Sequence, residues 1–148
     1  MRAVIQCVSE ARVTVGGAVT GQTGPGFLIL LGVGQGDTEA EADRLWRKIA
    51  RMRVFDDADG KTNLSLADIG GGVLVVSQFT LYANCRKGNR PSFTDAAPPD
   101  VAERLYEYFV GLVRADVSEV GTGVFGAMMD VALVNRGPFT VCLDTDQL

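Results

Sequence analysis

Residues Gly26 to Val33 read Gly-Phe-Leu-Ile-Leu-Leu-Gly-Val, a continuous apolar run bracketed by glycines. A membrane span takes about twenty residues, so this run is too short to be one. Its length and branched content fit a strand buried on both faces. A strand of that kind needs neighbours on either side and apolar cover above and below, which fixes the class of fold the chain can reach.

The neighbours are legible. Arg2 to Val8 alternates and is rich in branched residues, and Ala11 to Val15 repeats the pattern. Gly16-Gly17 gives a two-residue hairpin signal, with Ala18 to Thr20 returning. Gly70-Gly71-Gly72 precedes a central-looking strand, Val73 to Gln78. Met128 to Val134 and Phe139 to Leu143 read as two further strands, broken by Arg136-Gly137-Pro138.

Helical signals are two. Thr38 and Glu41 have capping-box spacing, and Leu45, Ile49 and Met52 follow as one apolar stripe. A second amphipathic helix is expected from about Asp100 to Arg114, after Pro98-Pro99, with Val101, Leu105, Phe109 and Leu112 at helical spacing. Phe55 to Lys61 reads as a polar turn; it lacks EF-hand spacing and a closing Glu. The pattern predicts an α+β fold: a curved sheet or barrel of many strands with two amphipathic helices packed outside. The 148 residues form one domain, 1–148, without repeat or linker.

Composition narrows the chemistry. There is no histidine, which removes a Ser-His-Asp triad, a Cys-His dyad and imidazole-bound zinc. Cys7, Cys85 and Cys142 are widely spaced and form no Cys-x-x-Cys pair, so neither a disulfide framework nor a zinc site is expected. No metal and no cofactor is expected. Met1 to Gln6 is too short an apolar stretch for a signal peptide, and no membrane span is apparent, so a cytoplasmic protein is expected. A net charge of −4 argues against a broad grip on nucleic acid but not against contact with one end of an RNA.

Two segments carry the candidate chemistry. Ser77-Gln78-Phe79-Thr80-Leu81 ends the Val73 strand and supplies two hydroxyls, an amide and backbone N–H groups able to serve an ester oxyanion. It also reads as a plain strand end. Asn135-Arg136-Gly137-Pro138-Phe139-Thr140 is first of all a turn, yet a Gly-Pro step set in a pocket would make a rigid wall. Between them, Arg86, Lys87 and Arg90 lie in a Gly/Pro loop that either meets phosphates or is simply solvated. Gly121 to Met129 is a small-residue loop that cradles a flat base or fills core.

Ser-Gln-Phe-Thr-Leu followed some sixty residues later by Asn-x-Gly-Pro-Phe-Thr resembles the paired signature of the D-aminoacyl-tRNA deacylase family. The resemblance extends to Ile5-Gln6, Arg12 to Val15, Gly60-Lys61, Asn63-Leu64, Arg90 to Phe93 and Leu105 to Phe109. It implies a homodimer that removes D-amino acids, and also glycine from mischarged tRNA(Ala), at the 3′ end of aminoacylated tRNA. Ser77, Gln78, Phe79 and Thr80 would line the ester, with the N–H groups of Phe79 and Thr80 polarising its carbonyl. Phe125 and Met129 would hold the terminal adenine. Gly137 and Pro138, joined by a cis peptide, would cross the interface as a wall against L side chains. The ribose 2′-hydroxyl would assist the attacking water.

One position departs from the pattern: the arginine expected at position 7, a brace for the Gly-Pro step, is Cys7 here, with Arg136 and Arg12 as candidates to replace it. Two other readings stand beside the deacylase: a general esterase with a Thr80 nucleophile, and a non-catalytic module that binds tRNA 3′ ends.

Overall fold

A computed structural model describes residues Met1 to Leu148. The elements run β1 (Arg2–Val15), β2 (Ala18–Thr23), β3 (Gly26–Gly32), α1 (Glu39–Ala50), β4 (Phe55–Asp56), β5 (Thr62–Leu64), β6 (Gly72–Ser77), α2 (Pro99–Asp116), β7 (Val120–Thr122) and β8 (Asp130–Asp144). A 3-10 turn, Phe79–Tyr82, follows β6, and a second, Thr145–Gln147, closes the chain.

The sheet order is β2-β1-β3-β6-β7, with β8 added along β1. β1 is one long strand rather than the two its sequence suggests. Its first half lies between β3 and the end of β8, and its second half between β2 and the start of β8. β3 pairs in parallel with β6, and β6 in parallel with β7. Each parallel step is bridged by a helix, as parallel pairing requires. The result is a nearly closed mixed barrel with both helices outside. Where β2 and β7 approach to complete it, a Cβ on Gly21 would overlap the Thr122 carbonyl and one on Gly121 would crowd Gln22 O, so glycine is needed at both positions.

Alternation along the strands divides the core in two. Ala3, Ile5, Phe27, Ile29, Val73 and Val75 face the helices and join Leu45, Trp46, Ile49, Leu105 and Phe109. Val8, Ala11, Val13, Leu28, Leu74 and Val76 point the other way into a smaller cluster. β3 and β6 are therefore covered on both faces, as the Gly26–Val33 run predicts. Burying each such side chain contributes about 1.5–3 kcal/mol.

α1 starts where the capping box places it. Thr38 is the N-cap, and the Glu41 side chain returns to the Thr38 backbone. α2 carries proline in its first turn, where a missing N–H costs nothing. The Phe55–Lys61 stretch is more than a turn. It begins a two-stranded ribbon, β4 with β5, whose bend is tied by Asp57 accepting from Asp59 N–H, Lys61 N–H and Asn63 Nδ2.

The largest difference from the sequence reading is β8. Gly137-Pro138 does not split it. Gln6 pairs with Thr140 and Val8 with Asn135, so Arg136 to Phe139 loop outward opposite Cys7 alone. Both halves of β8 pair with the same strand, and that shared ladder carries the chain across the interruption. The Gly137–Pro138 peptide is cis, as expected. No helix is long and apolar enough to cross a membrane.

Candidate active site

Ser77 is the last residue of β6 and pairs with Leu31 of β3. The next residue keeps one more tie to the sheet, Gln78 N–H donating to Leu31 O at 2.7 Å. The chain then leaves the sheet into the 3-10 turn. The first internal bond of that turn runs from Leu81 N–H to Gln78 O, 3.2 Å. The N–H groups of Phe79 and Thr80 precede it, in the position where a helical turn leaves its donors without internal acceptors. Gln78 Nε2 donates to Thr80 Oγ1, which ties the two polar side chains together. Arg2 secures the far end of the turn, donating to Leu81 O at 3.1 Å, with its guanidinium 4.5 Å above the Tyr82 ring. Burial works to raise the Asp144 carboxyl, but its 2.8 Å bond from Arg2 prevails and holds it below the usual range.

Ser77, Gln78 and Phe79 line a cavity of about 330 Å³. Tyr106 of α2, Phe93 and Phe125 line it too. Nine of its thirteen lining residues are hydrophobic, so it suits a flat apolar group met by a few polar atoms at one end. Tyr106 is held by its hydroxyl, which donates to Val75 O at 2.9 Å, and its ring lies 5.9 Å from that of Phe125. Burial pushes the Tyr106 phenol far above its ordinary value, so it remains a donor at any working pH. At the rim, Phe79 stands edge-on to Phe93, with centroids 5.0 Å apart, and remains 56% exposed.

The other expected residues fall in three places. Thr80 is exposed beside the cavity and does not line it. Phe125 lines the cavity, but Met129 on the same loop does not. Its sulfur accepts from Val124 N–H at 3.3 Å and packs against Gly123 and the smaller core cluster. Gly137 borders a separate cavity of about 470 Å³ with Cys7, Val54, Asp56, Arg136 and Phe139. Pro138 is exposed on the bulge. Within one chain, then, the Ser77 segment and the Gly137 segment line different cavities.

The bulge is tightly determined. Asn135 Oδ1 accepts from Phe139 N–H at 2.9 Å, and Asn135 Nδ2 donates to Thr140 Oγ1 at 2.9 Å. Gly137 has φ +131°, and a Cβ there would stand 2.7 Å from Phe139 N. Opposite it, Cys7 is buried with its thiol turned toward Val54 O, 4.0 Å away. Burial, with a smaller contribution from Asp56, pushes that thiol up to about 11.

Sequence reasoning passed over Tyr106 and Phe93 as site residues. Tyr106 sits directly after Leu105 of the helix stripe. A buried aromatic with a polar tip on a core-facing helix is the signal that would have marked it. Phe79, Val124 and Met128 are exposed apolar side chains, the last 91% exposed.

Comparison with known proteins identifies the family. The family model described as D-Tyr-tRNA(Tyr) deacylase matches residues 4–144. A D-aminoacyl-tRNA deacylase from Roseiflexus castenholzii is 61% identical over 98% of this chain and 92% of its own. One from Thermus aquaticus is 57% identical over 99% and 97%. Among solved structures, the c-Myc DNA Unwinding Element Binding Protein superposes with a TM-score of 0.92 at 41% identity, covering 97% of this chain and 98% of that one. A probable eukaryotic D-amino acid tRNA deacylase shares the fold, with a TM-score of 0.79 at 19% identity over 96% and 97%. The chain belongs to the D-Tyr-tRNA(Tyr) deacylase family, and is an ester hydrolase of that family.

Proposed function

We propose that this chain hydrolyses the ester linking a D-amino acid to the 3′ end of tRNA, releasing free D-amino acid and tRNA. The observation that carries the proposal is the cavity lined by Ser77, Gln78, Phe79 and Phe125, with the turn's leading N–H groups beside it, in a chain of this family. Phe125 and Tyr106 receive the terminal adenine. Phe79 N–H and Thr80 N–H polarise the ester carbonyl, which stabilises the tetrahedral oxyanion. Water adds to the carbonyl carbon, the bond to the ribose 3′-oxygen breaks, and that oxygen leaves with a proton. The neighbouring ribose 2′-hydroxyl directs the water, since the chain has no histidine to act as base.

Stereochemistry follows from a second copy of the chain. Phe79, Val124 and Met128 are apolar and exposed, which suits a face covered by a partner. In a homodimer the exposed Gly137-Pro138 bulge of one subunit reaches the other's ester site. Backbone there leaves space for hydrogen but not for an L side chain, so D-aminoacyl esters and glycyl-tRNA(Ala) are accepted. Exclusion of this kind discriminates by a built-in clash. The proposed setting is the cytoplasm, where tRNA is charged.

D-tyrosyl-tRNA and L-tyrosyl-tRNA, assayed side by side, test the reading: rapid release from the D ester and none from the L ester is expected, and equal rates would refute the chiral part. Thr80→Ala separates the mechanism from a general esterase. Backbone catalysis predicts a fall of less than about tenfold. Loss of a covalent nucleophile would abolish turnover, and an acyl-enzyme would accumulate in wild type. Binding of uncharged tRNA with no turnover of either ester would instead mark a non-catalytic module.

A further inference from the structure

The salt bridges of the chain engage the N-terminal ammonium, Arg2, Arg44 and Arg104. Two groups of cations lie outside them. Arg47 and Lys48 sit in the last turn of α1 and Arg51 caps it, beside Leu148. That placement has a local cause, because cations offset the negative end of the helix dipole. The other group, Arg86, Lys87 and Arg90, has no such cause. All three are exposed in the loop between Asn84 and Ser92, two residues that exchange both backbone hydrogen bonds, at 2.8 and 2.9 Å. Asn84 Oδ1 also accepts from Arg86 N–H at 3.1 Å, which holds the base of the loop in one shape. The residue after Ser92 is Phe93, which lines the cavity and stands against Phe79.

The loop's three cations, set against a chain total of −4, leave −7 for everything else. A chain so acidic elsewhere presents a compact positive loop joined directly to the rim of its ester cavity. We propose that Arg86, Lys87 and Arg90 grip the backbone phosphates of the single-stranded RNA 3′ tail whose terminal ester occupies that cavity. This rests on the reading of the cavity as the ester site. Such contacts are positioning contacts. They carry no base information and act through release of counterions.

The test compares two variants that lose the same charge, Arg86→Ala/Lys87→Ala/Arg90→Ala in the loop and Arg47→Ala/Lys48→Ala/Arg51→Ala on α1. Each is assayed on D-tyrosyl-tRNA and on D-tyrosyl-adenosine, which has the ester and the base but no upstream phosphate. Three single-strand contacts correspond to a salt slope of about −2 in log kcat/KM against log salt, or roughly a 20-fold loss between 50 and 200 mM. The loop variant is expected to lose that slope and raise KM for the tRNA at low salt, with kcat and turnover of the adenosine ester unchanged. The α1 variant is expected to keep the wild-type slope. An unchanged KM and slope in the loop variant, or an equal change in the α1 variant, overturns the proposal while the ester site stands. A DNA duplex competing with tRNA as strongly as single-stranded RNA does, through the same three residues, overturns it too. Wild-type protein inactive on both esters overturns the ester site, and this proposal with it.

Discussion

The Ser77–Thr80 segment and the Arg136–Phe139 bulge both interrupt strands with polar residues and a change of direction, yet the fold treats them oppositely. The first ends β6, which is covered on both faces, and the chain leaving it lines a largely apolar cavity. The second interrupts β8, whose residues alternate between half-buried and exposed, and Arg136 to Phe139 loop outward opposite Cys7. One segment has a built pocket. The other has a built shape and borders a different cavity. Within one chain the two segments line different cavities, which is why the proposed function has the bulge act on a second copy.

The sharpest way to break the comparison is Gly137→Ala. A Cβ there falls 2.7 Å from Phe139 N at a φ of +131°, so the bulge must shift. A displacement near 1 Å costs on the order of 10²-fold in catalysis. The expected result is a fall of about that size in D-tyrosyl-tRNA turnover, or in D-over-L preference, with the helices and core unchanged by circular dichroism. An unaltered D/L ratio would separate the bulge from selectivity.

Asn135→Ala asks how much of the bulge depends on one side chain. It removes the acceptor of Phe139 N–H and the donor to Thr140 Oγ1. A loss of about 1–2 kcal/mol in stability is expected, together with a smaller drop in D/L preference than Gly137→Ala gives. Denaturant melts and the paired deacylation assay measure the two. On the receptor side, Tyr106→Phe removes a single buried hydrogen bond. Val75 O keeps its second donor, Gly123 N–H at 3.0 Å, so about 1 kcal/mol is expected, with KM rising and kcat steady.

The strands and the helix start behind the Ser77 segment were more legible in the sequence than the cavity beside it. The Gly26–Val33 run, the Val73 strand and the Thr38–Glu41 box are local signals, and each element forms where its residues place it. Gly137-Pro138 misled because a turn dipeptide reports only its own dihedrals. Whether the chain reverses there depends on β1, more than a hundred residues away, pairing with both flanks. Likewise the three-residue strand β5 is too short to show a period, and the barrel closes through Gly21 and through Gly121, which the sequence places in a small-residue loop. The cavity was the least legible of all. Tyr106, Phe93 and Phe125 come from a helix and two loops, and only the packing of α2 on the sheet brings them together.

Cys7 tests the bulge from its inner side, and its effect is the smallest. It is the one residue of β1 opposite Arg136 to Phe139, buried, with its thiol pushed up to about 11 by burial first and Asp56 second. The ordinary value is 9.0, so the folded state holds the proton more tightly than the unfolded one. The resulting stability is fully present below the ordinary value and is lost as pH rises from about 9 towards 11. Cys7→Ala removes this dependence along with some packing. The wild type should therefore melt above the variant by a constant margin up to about pH 8.5, and the margin should narrow at higher pH. A thiol reagent at pH 8 should modify the exposed Cys85 and Cys142 and spare Cys7 until the chain unfolds. Rapid labelling of three thiols in the folded protein would mean that the strand opens behind the bulge. In that outcome β1 would not brace the Gly137-Pro138 bulge, and the wall proposed for it would need another support.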